Sequence, residues 1–157
     1  RSPRALVGSL NGTGTLVLDH ARIASLDPKV FATATHSVDQ GLPIDAPRVR
    51  ELARNGLDAG PLLVPHADAT LIIAAGVARI DSFKARADAA DLAVTGAYDF
   101  SNGRIDVRLA MSGPADGTSL RPEVAVQLRG PVGNPERVLD VSSLTGWLAL
   151  RSVAPAT

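Results

Sequence analysis

The stretch HADATLIIAAGVARIDSFKARADAADLAVTGAYDFSNGRIDVRLAMSG, residues His66 to Gly113, decides the fold. It reads as antiparallel strands folded back at short turns. Asn102-Gly103 is the clearest turn, because this pair most readily takes the positive φ angles of a two-residue hairpin loop. Closing the hairpin there predicts Phe100 opposite Ile105, Tyr98 opposite Val107, Gly96 opposite Leu109 and Val94 opposite Met111. Those pairs share one face, which is apolar. The other face then pairs Asp99 with Asp106, Ala97 with Arg108 and Thr95 with Ala110. A one-residue slip would turn the apolar set into water, so the register is well specified.

Working outward, Gly76 marks a tight turn, and Asp88 to Asp91 reads as a four-residue loop. That loop sets Ala87 opposite Leu92, Ala85 opposite Val94 and Phe83 opposite Gly96. Upstream, Leu10 to Ile23 reads as a strand bent near His20-Ala21. Asp27-Pro28 predicts a helix start, with Asp27 as N-cap and Pro28 in the first helical position. Gly41 and Pro43 end that helix. Asp45-Ala46-Pro47 opens a second, with Val49, Leu52 and Ala53 on one side and Gly56 as its stop. Pro61 and Pro65 bracket a connection or short edge segment.

Downstream, Pro114 to Pro122 reads as a polar loop and Glu123 to Arg129 as another alternating strand. Gly130-Pro131 and Asn134-Pro135 break regular structure. Val141 to Val153 has helical spacing at Val141, Leu144 and Leu148, with Trp147 and Leu150 broadening its apolar side. Asp140 or Ser142 caps it, and the tail from Ala154 is expected to fray. The fold class is therefore α+β: an antiparallel β-meander, a curved sheet or groove, with two short helices inserted after the first strand and a C-terminal helix.

At 157 residues the chain reads as one domain, 1–157. It opens on Arg1 and not Met, which suggests a piece of a longer protein. Sixteen basic and 16 acidic residues cancel, which argues against nucleic acid and against a polybasic membrane surface. Without cysteine there is no disulfide, thiolate nucleophile or thiolate metal site. The longest apolar run, Leu71 to Ala78, is too short to span a bilayer, so no transmembrane segment is expected here.

No catalytic motif stands out. His20, His36 and His66 lack metal-ligand spacing and read as exposed or half-exposed loop residues. Asp19-His20 has no nucleophile elbow to serve, and Asp88 with Asp91 flanks a turn where Asp commonly caps backbone. Gly8 to Gly14 lacks the lysine of a phosphate loop, and its glycines suit a strand entrance or bulge. The chain is expected to be non-enzymatic, with no cofactor and no metal.

The apolar strand face admits two readings: a core covered by the helices, or a lipid-contacting groove left partly open. Periodicity alone favours the core, since buried faces of antiparallel sheets look this way.

Val126 to Val153, VQLRGPVGNPERVLDVSSLTGWLALRSV, resembles the end of the AsmA-like C-terminal region. Gly130, Pro131, Asn134, Pro135, Arg137, Asp140, Trp147 and Leu148 carry the match. Gly12, Gly14, Leu16, Leu18, Ile23, Leu26 and Asp27 resemble that family's strand leading into a Leu-Asp helix start. Leu92, Gly96, Asp99, Ile105 and Leu109 fit its hairpin. The resemblance implies the C-terminal part of a membrane-anchored bacterial envelope protein, on the periplasmic side of the inner membrane. It implies phospholipid transport or outer-membrane assembly, with phospholipid or acyl chains as partners and other envelope proteins as further ones. The candidate lipid-contacting face is then Phe83, Leu92, Val94, Tyr98, Phe100, Ile105, Val107, Leu109 and Met111. The alternative is a protein-docking or capping module at the end of a longer β-assembly, with Glu123 to Arg129 as its open edge.

Overall fold

The computed structural model describes residues 12–87, 90–113 and 121–153. Seven antiparallel strands form one open sheet in sequence order: β1 (Gly12–Ile23), β2 (Leu62–Ala74), β3 (Val77–Arg86), β4 (Asp91–Asp99), β5 (Arg104–Ser112), β6 (Glu123–Pro131) and β7 (Glu136–Asp140). Helices α1 (Val30–Asp39) and α2 (Ala46–Asp58) lie between β1 and β2, and α3 (Ser142–Val153) follows β7. This is the α+β meander with two inserted helices and a terminal one that the sequence predicts.

The central hairpin keeps the predicted faces but not the predicted partners. Tyr98 pairs with Ile105, Gly96 with Val107, Val94 with Leu109 and Leu92 with Met111. The register is two residues away from the expected one, an even shift, so every side chain stays on its face. The loop is four residues, Phe100 to Gly103, because the turn begins earlier than Asn102. Asp99 Oδ1 accepts the Ser101 N–H at 2.9 Å and the Ser101 hydroxyl at 2.6 Å. These bonds hold the Asp99 carboxyl below its usual pKa. Gly103, at φ 66°, closes the loop. Asp99 consequently faces Arg104, and the expected Asp99–Asp106 like-charge pair does not form.

The β3–β4 register also differs from the expected one. Val77, Ala78 and Arg79 pair with Asp99, Tyr98 and Ala97, and Arg86 pairs with Asp91, with a register shift between. The Phe83–Gly96 pair is not part of this ladder. Against β2, Thr70 pairs with Ser82 but Leu71 with Ile80, so Asp81 is the extra residue of a bulge. The bulge has a sequence reason. Ala78 and Ile80 alternate, Phe83 and Ala85 alternate, and an added residue between them keeps all four on one face. Asp88 and Ala89 lie outside the described residues, as do 1–11, with Gly8 and the predicted strand start at Leu10, 114–120 and 154–157.

β2 runs straight through Pro65, where the sequence predicts a connection or a short edge segment. The ladder with β1 pairs Asp19 with His66 and Ala21 with Val64, and skips His20 and Pro65. Proline has no N–H to give, so it is tolerated where the ladder is already interrupted. His20 sits there at φ 54°, which is the predicted bend. β6 is internal and not an edge: β7 pairs along it from Ala125–Asp140 to Arg129–Glu136. The sheet's edges are β1 and β7. The Asn134-Pro135 break is the turn between β6 and β7, with the Asn134 N–H bonded to the Pro131 carbonyl at 3.0 Å.

The helices start as polar capping dictates, with two corrections. Asp45 caps α2 by accepting the Arg48 N–H at 3.0 Å. Asp27 instead caps a turn before α1, accepting the Lys29 N–H at 2.9 Å, and the helix begins at Val30. Gly56 does not stop α2, which continues to Asp58. It is where α1 approaches: a Cβ there would lie 2.9 Å from Val30 Cγ2. Leu150 faces solvent instead of broadening the apolar side of α3. One core cluster joins the layers, with Phe31, Val49, Leu57, Leu144 and Leu148 from the helices against Leu62, Ala67, Leu92, Met111, Val124 and Leu139 from the strands.

Candidate functional site

The register sorts the strands into two faces. Directed toward the helices are Leu16 and Leu18 of β1, Leu71 and Ile73 of β2, Ile80 and Phe83 of β3, the Leu92 to Tyr98 alternates of β4, the Ile105 to Met111 alternates of β5, and Val124, Val126 and Leu128 of β6. The only charged residue on this face among the described residues is Arg137, opposite Leu128 on β7. Its Nη2 donates to the Ser25 carbonyl at 2.7 Å and its Nη1 meets Asp58 Oδ1 at 3.2 Å. It therefore leans onto the helix layer.

The apolar face has two zones. The helices cover one end of the sheet, where Leu92 is 6% exposed and Met111 is fully buried. At the other end Tyr98, Ile105, Val107, Ile73 and Ile80 are each half-buried. Phe83, Val94, Leu109 and Leu128 lie between and pack on the edge of the core cluster. Phe100 sits in the loop beyond β4, its ring edge-on to Tyr98 with centroids 5.0 Å apart. Eight of the nine predicted face residues thus lie on strands of one face, and Phe100 stands at its rim.

Three hairpin loops form that rim. The Phe100 N–H donates to the Gly76 carbonyl and the Val132 N–H to the Gly103 carbonyl, both at 2.9 Å. These bonds hold the uncovered ends of β2 through β7 together without a helix over them.

Sequence reading missed part of the face. Leu16 and Leu18 carry it to the edge, 46% and 41% exposed, and Leu71, Ile73 and Ile80 extend it through β2 and β3. Their signal was the alternate members of the two apolar runs, hidden by the bulge at Asp81.

The opposite face is polar. Arg108 Nη2 meets Asp140 Oδ2 at 2.9 Å, Arg129 meets Asp106, and Gln127 donates to Asp106. His66 lies on β2, not in a loop, and its partner is Asp19 and not a member of an Asp19-His20 pair. Nδ1 is 2.8 Å from Asp19 and Nε2 is 2.9 Å from Asp68, and those hydrogen bonds, Asp19's foremost, raise the His66 pKa. His20 is on β1 and His36 on α1, both exposed. Among the described residues no group of three or more His, Asp or Glu is placed to hold a metal ion, and no helix is long and apolar enough to cross a membrane.

Set beside known proteins, the chain matches no family model, no curated protein and no solved structure.

Proposed function

We propose that this chain is a non-enzymatic β-rich domain of an AsmA-like envelope protein, on the periplasmic side of the inner membrane, and that its strand face carries acyl chains in phospholipid transport or outer-membrane assembly. One observation carries the reading. The apolar face continues past the helices, and its uncovered end keeps Tyr98, Ile105 and Val107 half-exposed to solvent. A face serving only as core would be covered along its length, whereas apolar surface left open usually meets another apolar body. The periplasmic location and the envelope role rest on the resemblance of Gly130, Pro131, Asn134, Pro135 and Trp147 to the AsmA-like pattern.

Photo-crosslinking tests it. A benzophenone side chain at Val107 should crosslink phospholipid in cells, and one at Thr95 on the polar face should not. Equal labelling at both positions, or none at Val107, would sink the reading.

A second reading is favoured by the edge of the sheet. β1 is an edge strand, and Gly12 to Leu18 carries no charge, the feature that usually blunts such an edge. A docking or capping module would take a partner strand there and not on β6. A protein partner retained after delipidation, and lost on Val17→Pro, would favour this reading.

A further inference from the structure

Away from the strand face, an open cleft of about 950 Å³ lies between α1, α3 and the approach to β2. Phe31, Leu63, Pro122 and Trp147 give it apolar walls. Asp27 also borders it, and is only 8% exposed, the one buried charged residue among those described.

The two oxygens of Asp27 differ. Oδ1 accepts the Lys29 N–H at 2.9 Å. Oδ2 has no protein donor among the described residues. It lies beside Gly60, another cleft residue, where an added Cβ would be 2.9 Å away. A glycine therefore leaves this oxygen uncovered. Among the described residues no buried side-chain oxygen or nitrogen lacks a partner, so Oδ2 reaches solvent at the cleft, where a carboxylate oxygen is open to a cationic N–H donor.

The other charges at the cleft divide in the same way. Arg151 is occupied, 3.9 Å from Asp39 and stacked 5.6 Å over the Trp147 ring. Lys29 borders the cleft and has no ion-pair partner among the described residues. The cleft thus offers one free negative group, one free positive group and an apolar wall.

We infer that this cleft binds an amphiphile whose head carries a primary ammonium and a phosphate, the ammonium on Asp27, the phosphate toward Lys29 and the apolar part against Phe31, Leu63 and Trp147. The site is separate from the strand face and stands whether or not that face carries lipid.

Trp147 is the only tryptophan of the chain, so its fluorescence reports on this cleft. The probe is dihexanoylphosphatidylethanolamine below its micelle concentration. It should give a saturable change in Trp147 emission. Asp27→Asn keeps the acceptor for Lys29 and removes the charge, and Gly60→Ala crowds Oδ2. Each should weaken binding about tenfold or more, as loss of a charge-assisted bond does. Dihexanoylphosphatidylglycerol, which lacks the ammonium, and phosphoethanolamine, which lacks the tails, should bind as weakly as the variants. The comparison of probes uses the unaltered chain, so it decides even where a variant does not fold. Equal affinity for phosphatidylglycerol, wild-type affinity in Asp27→Asn, or no saturable response overturns the inference. Tight binding of phosphoethanolamine alone overturns the amphiphile and identifies a site for a soluble zwitterion.

Discussion

Arg108 on β5 and Asp140 at the end of β7 meet across β6, Nη2 to Oδ2 at 2.9 Å. The same carboxylate caps α3, its Oδ1 accepting the Ser142 N–H at 3.1 Å and the Ser142 hydroxyl at 2.6 Å. One side chain thus ties the polar face of the sheet to a helix that covers the apolar face. The Ser142 hydroxyl, then Arg108, hold the Asp140 pKa at about 2, against an ordinary 3.8.

That depression has a definite sign. A folded pKa below the unfolded one contributes stability that is fully present above pH 3.8 and lost as pH falls toward 2. Both side chains are more than a third exposed, 39% and 38%, so solvent screening cuts the contribution to about 1 kcal/mol. Asp140→Asn should lose that amount at pH 7 and flatten the acid limb of the stability curve between pH 4 and 2. Urea unfolding across that range measures it.

His66 works in the opposite direction. Its pKa is raised by hydrogen bonds to Asp19 and Asp68, so the contribution is full below the ordinary 6.5 and is lost as pH rises through the raised value. By register Lys84 faces Asp68, so the surroundings hold both signs of charge. The bridge joins edge strand β1 to β2 beside the ladder skip at His20 and Pro65. After correction for the intrinsic pH dependence of exchange, the amides of β1 should lose protection as His66 deprotonates. His66→Gln should remove that pH dependence. An unchanged profile in the variant would assign it to another group.

Ala75 and Gly76 form a two-residue turn between β2 and β3, both at positive φ, 52° and 78°. Alanine is strained there and asparagine is not, because its side chain bonds locally in that conformation. Ala75→Asn should raise stability by about 0.5–1 kcal/mol, read as an increase in Tm.

Gly56 and Val30 hold α2 against α1. On an exposed helix Gly→Ala gains about 1 kcal/mol of helix propensity. Here the new Cβ would be 2.9 Å from Val30 Cγ2 and 3.2 Å from Val30 Cα, so overpacking should reverse the sign and cost about 1 kcal/mol. Adding Val30→Ala should cost less in the Gly56→Ala background than alone, and a double-mutant cycle measures that coupling.

Much of the face was legible because alternation survives an even error in register. Tyr98, Ile105, Val107 and Leu109 were placed correctly although each partner was two residues out. The error came from Asp99, whose carboxylate starts a turn before Asn102-Gly103 does. The bulge at Asp81 was written in the spacing of Ala78, Ile80, Phe83 and Ala85, but a strict period of two conceals it. β7 was not legible: it is five residues long with Leu139 its only buried member, so it has no alternation to find. The cleft at Asp27 was not legible either, since Phe31, Gly60 and Trp147 meet only in three dimensions.

Val107 tests the central claim most directly. It lies in the uncovered zone of the face, half-buried, while Met111 lies four residues along the same face at 0% exposure. Val107→Asp should cost only about 1–2 kcal/mol, and Met111→Asp, which buries an unpaired carboxylate under the helices, should prevent folding. Native mass spectrometry of the wild-type chain, purified from cells without added lipid, should show bound phospholipid. The folded Val107→Asp variant should carry none. A lipid-free wild-type monomer, or a Val107→Asp chain that fails to fold, would mean the face is closed core and would contradict the account.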